Sequence, residues 1–418
     1  MKKYFTLIAA VVLSISSAMS QSIADGYYRI MNGSGRYATM INKQVDNTNK
    51  EAVKTGGGAH IFALRMKDLD KIISDPGSII QMKYESSGYT LKSQDTDTKT
   101  MTSLYLQAVT YVPYEGTNYT PATGSYFLYG SQGGQTRYLF DSDDENETDY
   151  ENGKVVDYNY LYCAGIQTSG KYTLTNKLSN WYFKPIDNET QYFGITPDVE
   201  LNGKYYTTVY CGFPFKVTGD MKAYYVTDAK ANNNVAKLNQ IEDGIVPAAT
   251  PVIIECTSND PSVNKTIVGV TASKSYSTSL KGVYYSYAKM NVDGINENTT
   301  SLGNALKNAT TYQASRMRML NVSDGHLALV KPTNAQLHTT NSGANKYIPA
   351  NKAYLDLSGA KDIILLDDGT LGINSVSQKA KNTAVYNLQG QKVAEEGTSV
   401  DELPRGIYIV NGKKVVKD

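Results

Sequence analysis

Residues 26–37 read GYYRIMNGSGRY, which is a strand-like run, a glycine-containing turn and a second run that carries a tyrosine. The same arrangement returns at 79–91 and again at 126–139. Tyrosine and β-branched residues favour strands, whereas glycine favours the tight turns between paired strands. The pattern therefore predicts a series of β-hairpins in this part of the chain.

Recurrent hairpins of this kind resemble those of ricin-like β-trefoils, in which each repeat gives a strand pair and one aromatic residue to a shared core. The repeats here are uneven in length and lack the Gln-x-Trp signature of that family. The resemblance implies a β-trefoil-like domain over residues 21–190, which closes at Trp181–Phe183. Another hairpin-repeat barrel or a sandwich is the alternative.

One helix is predicted to interrupt these hairpins, near residues 59–74. Asp75-Pro76-Gly77 ends the helical pattern, because proline cannot continue a helix. Five apolar residues recur at helical spacing on one face of this segment: Ile61, Leu64, Leu69, Ile72 and Ile73.

The aromatic residues are biased towards tyrosine, with 34 tyrosines, 8 phenylalanines and 1 tryptophan. Tyrosine suits half-buried strand positions, since its ring packs while its hydroxyl stays hydrated. Rings beside turns are also candidates for stacking on a sugar, and the alternative is that they fill the core. The candidates for carbohydrate contact are Tyr37, Tyr89, Tyr138 and Trp181, and for Trp181 a place in the core is the favoured alternative.

Residues 195–370 contain a faint internal duplication. Val246-Pro247-Ala248 precedes the apolar run 251–254, and Ile348-Pro349-Ala350 precedes the run 353–356. In each copy a Pro-Ala turn leads into a strand-like segment, which predicts a β-sandwich-like domain of two related halves. The phrase is similar to a module of exported Bacteroidota proteins, a likeness that assigns no activity.

The first residues have the three parts of a cleavable export signal. Lys2 and Lys3 precede an apolar run over 5–12, and Ala18-Met19-Ser20 forms a small-residue cleavage site. The run is shorter than the roughly 20 residues of a membrane-spanning helix. We therefore expect a signal peptide over 1–20, cleavage near Ser20-Gln21, and a secreted or outer-surface protein with no transmembrane segment.

The charge balance argues against nucleic acid as a partner. Removing the leader's two lysines from the total of 41 basic residues leaves 39, against 40 acidic residues. Nucleic-acid binding depends on clustered basic residues that neutralise phosphates. The three cysteines, Cys163, Cys211 and Cys256, allow at most one disulfide and leave one thiol over.

The C-terminal segment 376–418 shows two hairpin patterns. One surrounds Gln389-Gly390, and the other turns at Asn411-Gly412, a pair that favours a two-residue hairpin. The segment resembles the sorting domain recognised by the type IX secretion machinery, which implies that this machinery is a partner. The positions that carry the resemblance are Tyr386, Gly390, Leu403, Pro404, Gly406, Tyr408 and Gly412.

Motifs for enzyme chemistry are sparse. The three histidines are widely separated and form no His-Glu-x-x-His pattern, and no Gly-x-Ser-x-Gly elbow occurs. The acidic stretch 141–149 is a candidate calcium loop through Asp141, Asp143 and Asp149, and a hydrated hairpin loop is the alternative.

The sequence thus favours a non-enzymatic exported or surface protein that binds a glycan or surface polymer. A secreted glycan hydrolase with two unidentified carboxylates is the alternative, because the separation of such a pair is set by the fold. A structural component of the cell surface is a third reading. The predicted fold class is all-β and multidomain, with a barrel, a sandwich-like domain and a small hairpin tail.

Overall fold

The computed structural model confirms an all-β, multidomain chain with no helix of seven or more residues in its described part. No described helix is long and apolar enough to cross a membrane. The described residues are 23–42, 54–55, 63–67, 69–85, 88–92, 105–108, 112–114, 117–119, 124–132, 135–141, 147–151, 154–164, 179–284, 310–339, 346–367, 385–387, 390–394, 403–410 and 413–417.

The N-terminal body is a closed barrel of paired strands. Among the described residues, its ring runs β14-β10-β11-β13-β4-β2-β1 and closes where β1 pairs antiparallel with β14. The three predicted hairpins are confirmed as the pairs β1/β2, β5/β6 and β10/β11. The strands are β1 (Gly26–Asn32), β2 (Tyr37–Asn42), β3 (Lys54–Thr55), β4 (Ala63–Lys67), β5 (Ile80–Glu85), β6 (Gly88–Lys92), β7 (Tyr105–Ala108), β8 (Val112–Tyr114), β9 (Thr117–Tyr119), β10 (Tyr126–Gln132), β11 (Gln135–Asp141), β12 (Glu147–Glu151), β13 (Lys154–Ala164) and β14 (Trp181–Pro185).

The helix predicted over 59–74 is wrong. The segment forms strand β4, which lies between β2 and β13, followed by the four-residue helix α1 (Leu69–Ile72) and a 3₁₀ turn (Pro76–Ser78). The apolar spacing of this segment suits a helix locally. Pairing with two strands distant in sequence outweighs that local preference.

The barrel interior is filled by the inward face of β1 and its neighbours. Ile30, Leu128 and Trp181 are each no more than 2% exposed. Asp141 is also fully buried, and its carboxylate accepts hydrogen bonds from Asn32 at 2.6 Å and from Arg36 at 2.9 Å. The Asp141 carboxylate thereby ties the β1/β2 turn to β11.

The central body is built on a curled ten-stranded sheet, ordered β16-β17-β22-β19-β20-β30-β26-β25-β29-β24. Every strand of this sheet gives a buried residue to one apolar core, and β16 packs beside β25, so the sheet curls around that core. The strands are β15 (Phe193–Gly194), β16 (Val199–Leu201), β17 (Lys204–Val209), β18 (Phe215–Val217), β19 (Lys222–Thr227), β20 (Val235–Gln240), β21 (Ile245–Val246), β22 (Val252–Cys256), β23 (Lys265–Val268), β24 (Leu280–Gly282), β25 (Met317–Ser323), β26 (His326–Val330), β27 (His338–Thr339), β28 (Lys346–Tyr347), β29 (Ala353–Asp356) and β30 (Ile363–Asp367), with a 3₁₀ turn at Asn334–Gln336.

Smaller sheets cover the outer face of the curled sheet. The sheet β15-β23-β18-β21 shares a second core with the outer face of β17, β19 and β22. The hairpin of β27 and β28 lies beside a third core, which includes Met319, Ile348 and Tyr354. This layering of sheet on sheet makes the body sandwich-like.

The two Pro-Ala phrases occupy matching places in the central body. Strand β19 pairs with β20 and β22, and β25 pairs in the same way with β26 and β29. Ala249 and Asn351 follow the two phrases with φ of 57° and 61°. The Ala249 amide donates to the Cys211 carbonyl at 2.9 Å, and the Asn351 amide donates to the Val283 carbonyl at 2.7 Å. Topology and turn geometry therefore repeat together.

The barrel docks on the central body through buried contacts. Ile79 lies in the core shared by β15, β18 and β22, and the Tyr27 ring meets Phe213 edge-on at 6.0 Å. Arg29 is fully buried and donates to the carbonyl of Tyr192 at 2.9 Å. We call these contacts the joint.

The C-terminal segment forms a four-stranded antiparallel sheet ordered β32-β31-β33-β34, as the hairpin patterns predict. Val385 is buried, and the Tyr408 hydroxyl donates to the Pro404 carbonyl at 2.6 Å. Gly390 has a φ of 79°, which favours glycine, and Gly412 lies outside the described residues. The strands are β31 (Val385–Asn387), β32 (Lys392–Ala394), β33 (Gly406–Val410) and β34 (Lys413–Lys417).

Candidate aromatic binding site

Three half-buried aromatic rings meet at one end of the barrel interior. The strand register shows which face of the sheet these rings occupy, because Ile30 pairs with Phe183 and Trp181 pairs with Tyr126. Directly paired residues of antiparallel strands share a face, and residues two apart on one strand do too. Tyr28, Phe183 and Tyr126 therefore lie on the same face as the buried core residues of the barrel.

The three rings contact one another edge to face. The centroids of Tyr28 and Phe183 are 6.3 Å apart with an interplanar angle of 84°, and those of Tyr126 and Phe183 are 5.7 Å apart at 74°. Such geometry is favourable for aromatic pairs. We call Tyr28, Tyr126 and Phe183 the aromatic mouth.

Local sequence holds the Tyr28 ring in place. Gly26 lies two residues earlier on the same face, and a Cβ there would come within 3.3 Å of the Tyr28 ring. The Tyr28 hydroxyl donates to the Ala24 carbonyl at 2.8 Å. Glycine therefore allows the ring to lie against the start of β1 while the hydroxyl is anchored at its rim.

The mouth combines apolar ring surface with partial exposure. Ile80, directly paired with Tyr28, is buried beside it, and Trp181 is buried beside Tyr126. Aromatic surface of this kind packs against the C–H face of a sugar or against another apolar group. The mouths of β-barrels are common places for such sites.

The structure contradicts two of the four predicted carbohydrate contacts. Trp181 is 0% exposed and belongs to the barrel core. Tyr37 is 6% exposed on the outer face of the barrel, where its hydroxyl accepts a hydrogen bond from Gln191 at 3.1 Å. Neither ring offers a face for stacking on a sugar, because both rings are packed against other parts of the protein.

The other two predicted contacts are described only in their backbones. Tyr89 lies in β6 opposite Tyr84, and Tyr138 lies in β11 opposite Tyr129. Their side chains lie outside the described residues. Both remain predictions as contacts.

The calcium prediction fails at its first ligand. Asp141 is 0% exposed and its carboxylate is committed to Arg36 and Asn32, so it does not belong to an open loop. Asp143 lies outside the described residues, and Asp149 is described only as backbone of β12. The described residues contain no group of three or more His, Cys, Asp or Glu arranged to hold a metal.

No protein-family model, curated protein or solved structure matches this chain.

Two partly buried carboxylates of the central body are held in ion pairs. Glu255 pairs with Lys204 at 2.8 Å, and Asp356 pairs with Lys281 at 2.7 Å and also with Arg316. Burial alone would raise the pKa of Asp356, but hydrogen bonds from its two cations hold it below the ordinary value. A general acid needs a raised pKa, so Asp356 suits a structural role.

The two described thiols are inert. Cys211 and Cys256 are buried free thiols, and burial raises the pKa of each to about 12. The thiolate is the reactive form of cysteine, so neither reacts readily at neutral pH. The side chain of Cys163 lies outside the described residues.

Sequence reasoning missed the residues of the mouth even though it noted their strands. The available signal was the alternation of Tyr28 with Ile30, of Tyr126 with Leu128, and of Trp181 with Phe183. Period-two spacing shows which residues share a face, but only strand pairing shows which face is inside.

Proposed function

We propose that this chain is an exported or cell-surface protein that binds a neutral sugar unit of a glycan through the aromatic mouth. The observation that carries the proposal is the edge-to-face cluster of Tyr28, Phe183 and Tyr126 at the end of the barrel interior. The cluster is half-buried, so the rings are held in position before a sugar arrives.

The chemistry of the mouth favours a neutral sugar over a charged one. Its three side chains are uncharged, and the nearest cation of β1, Arg29, points to the opposite face and is buried in the joint. A pyranose ring offers a C–H face that stacks on an aromatic ring and hydroxyls that bond to a phenol.

The single tryptophan of the chain gives a direct test. Trp181 is buried beside Tyr126, so occupation of the mouth should change its fluorescence. The full chain would be screened on an array of neutral and acidic glycans, and the strongest glycan titrated against Trp181 emission. Tyr126→Leu and Phe183→Leu are expected to weaken binding at least about tenfold, the loss of about 1.4 kcal/mol of stacking.

Tyr182→Leu is the matched control. Tyr182 is half-buried, directly precedes Phe183 on β14 and faces the outside, where Lys184 lies over its ring at 5.5 Å. Its substitution should leave binding unchanged. A blank array, or equal loss for Tyr182→Leu and Phe183→Leu, would count against the aromatic mouth.

We further propose that the C-terminal sheet is the address for type IX export after removal of the leader. The resemblance of its motifs to that sorting domain supports this proposal. Gly412→Val should reduce delivery to the cell surface, because the Asn-Gly turn needs positive φ. Val416→Ala, which changes a 60% exposed side chain in the same hairpin, is the control. Normal surface display of Gly412→Val would contradict the proposal.

A further inference from the structure

Strand β1 carries the mouth on one face and the joint on the other. Tyr28 faces the barrel interior, whereas its neighbours Tyr27 and Arg29 face the central body. Successive side chains of a strand point to opposite faces and share one backbone. Any shift that the joint imposes on Arg29 is therefore passed to Tyr28.

Arg29 fixes this part of β1 from three directions. Its guanidinium donates to the Ser78 hydroxyl at 3.1 Å, the Tyr192 carbonyl at 2.9 Å and the Ile73 carbonyl at 3.3 Å. All three acceptors are neutral oxygens, and Nη1 has no acceptor within the described part of the chain. Burial lowers the pKa of Arg29 to about 10, which leaves it charged at neutral pH.

Tyr27 clamps the same strand one residue earlier. Its carbonyl accepts from the Ile186 amide at 2.9 Å, directly after β14 ends. Its ring lies against Gly269, where an added Cβ would come within 2.7 Å of it. Both strands that carry Tyr28 and Phe183 are thus held against the central body just outside the mouth.

We propose that Arg29 is a positioning residue for the aromatic mouth: by tying β1 to the 73–78 segment and to Tyr192, which leads into the central body, it sets Tyr28 against Phe183 before a sugar binds. This inference rests on the binding function proposed above. Loss of the contact should lower the fraction of molecules with a formed mouth, and apparent affinity falls by that same fraction.

The test uses full-length Arg29→Gln and Arg29→Lys at a temperature where both are folded. A mouth formed in a tenth of molecules would weaken binding of the strongest array glycan about tenfold. Arg29→Lys should recover part of this, since its ammonium can reach some of the carbonyls. Leu365→Ala, which opens the central core away from β1, supplies the control for general destabilisation.

A second readout needs no glycan. Quenching of Trp181 by acrylamide should give a higher Stern–Volmer constant in Arg29→Gln than in wild type, and an unchanged constant in Leu365→Ala. If wild type binds no glycan, the binding function fails, and quenching alone still decides the role of Arg29. Unchanged quenching in Arg29→Gln, or an equal rise in Leu365→Ala, would overturn the inference.

Discussion

Single buried polar residues link strands of the barrel that are distant in sequence, and Asp141 is the clearest case. Its carboxylate is fully buried and bonds to Arg36 and Asn32. Asp141→Asn should lower the free energy of unfolding by about 2–3 kcal/mol, because it leaves a guanidinium with a weaker acceptor. Chemical denaturation followed through Trp181 measures this loss.

The control is a carboxylate in an exposed ion pair. Asp243 bonds to Lys274 at 2.9 Å at the surface, where solvent screens the interaction. Asp243→Asn should therefore change stability far less than Asp141→Asn. Equal effects would mean that burial of Asp141 does not determine its contribution.

Asp187, in the linker from the barrel to the central body, should give stability a defined pH dependence. Partial burial alone would raise its pKa, but hydrogen bonds from the backbone amides of 189–191, at 2.7–2.8 Å, hold it below the ordinary value. A depressed folded pKa stabilises the protein above the unfolded value of about 3.9, and this contribution disappears as pH falls through the folded pKa.

The measurement is Tm against pH for wild type and Asp187→Asn. The difference in Tm should be largest above about pH 4 and should shrink towards pH 2, as both forms become uncharged at this position. A difference that stays constant over the whole range would show that the carboxylate's charge is irrelevant there.

At the scale of elements, the repeated halves of the central body meet at Gly282 on β24. The ring of Tyr210 lies so close to its backbone that an added Cβ would overlap the ring. Gly282→Ala should cost about 3 kcal/mol, because the Tyr210 ring, which packs against Tyr284 with centroids 4.3 Å apart, would have to move. Thermal or urea unfolding measures the cost.

Gly203→Ala separates this clash from backbone strain. Gly203 has a φ of 76° and open space around its Cβ position, so alanine there should cost only about 1–2 kcal/mol. The double variant Tyr210→Ala/Gly282→Ala should be less destabilised than the sum of its single changes, since they share one contact. Strict additivity would contradict the proposed clash.

Local patterns predicted elements well where partners are neighbours in sequence. The pair β5/β6 and the tail pair β33/β34 follow from alternation and turn residues alone. Strand β4 did not, because its partners β2 and β13 include a strand almost a hundred residues away. The helix-like spacing of apolar residues in this segment carries no information about strand pairing across so many residues.

The same limit applies to the candidate site at the scale of the whole molecule. Tyr37 was predicted as a sugar contact beside a turn, but its ring is buried and its hydroxyl bonds to Gln191. Trp181, for which a place in the core was favoured, is enclosed by the barrel. Tyr28 is half-buried and faces the barrel interior, whereas Tyr27 and Arg29 on the other face of β1 contact the central body. Which face of β1 is covered is thus decided by docking between bodies, which no local pattern encodes.

That docking predicts how the molecule unfolds. Ile79 of the barrel is 1% exposed within a core of the central body, so the two bodies share buried surface. Trp181 fluorescence, which reports the barrel, and far-ultraviolet circular dichroism, which reports all strands, should therefore give the same Tm in wild type.

Ile79→Asp places an unpaired charge in the joint, which costs several kcal/mol, and should separate the two transitions. Ile267→Asp, on the exposed side of β23, should keep them together. Coincident transitions in Ile79→Asp would show that the bodies do not depend on the joint for their cooperative unfolding.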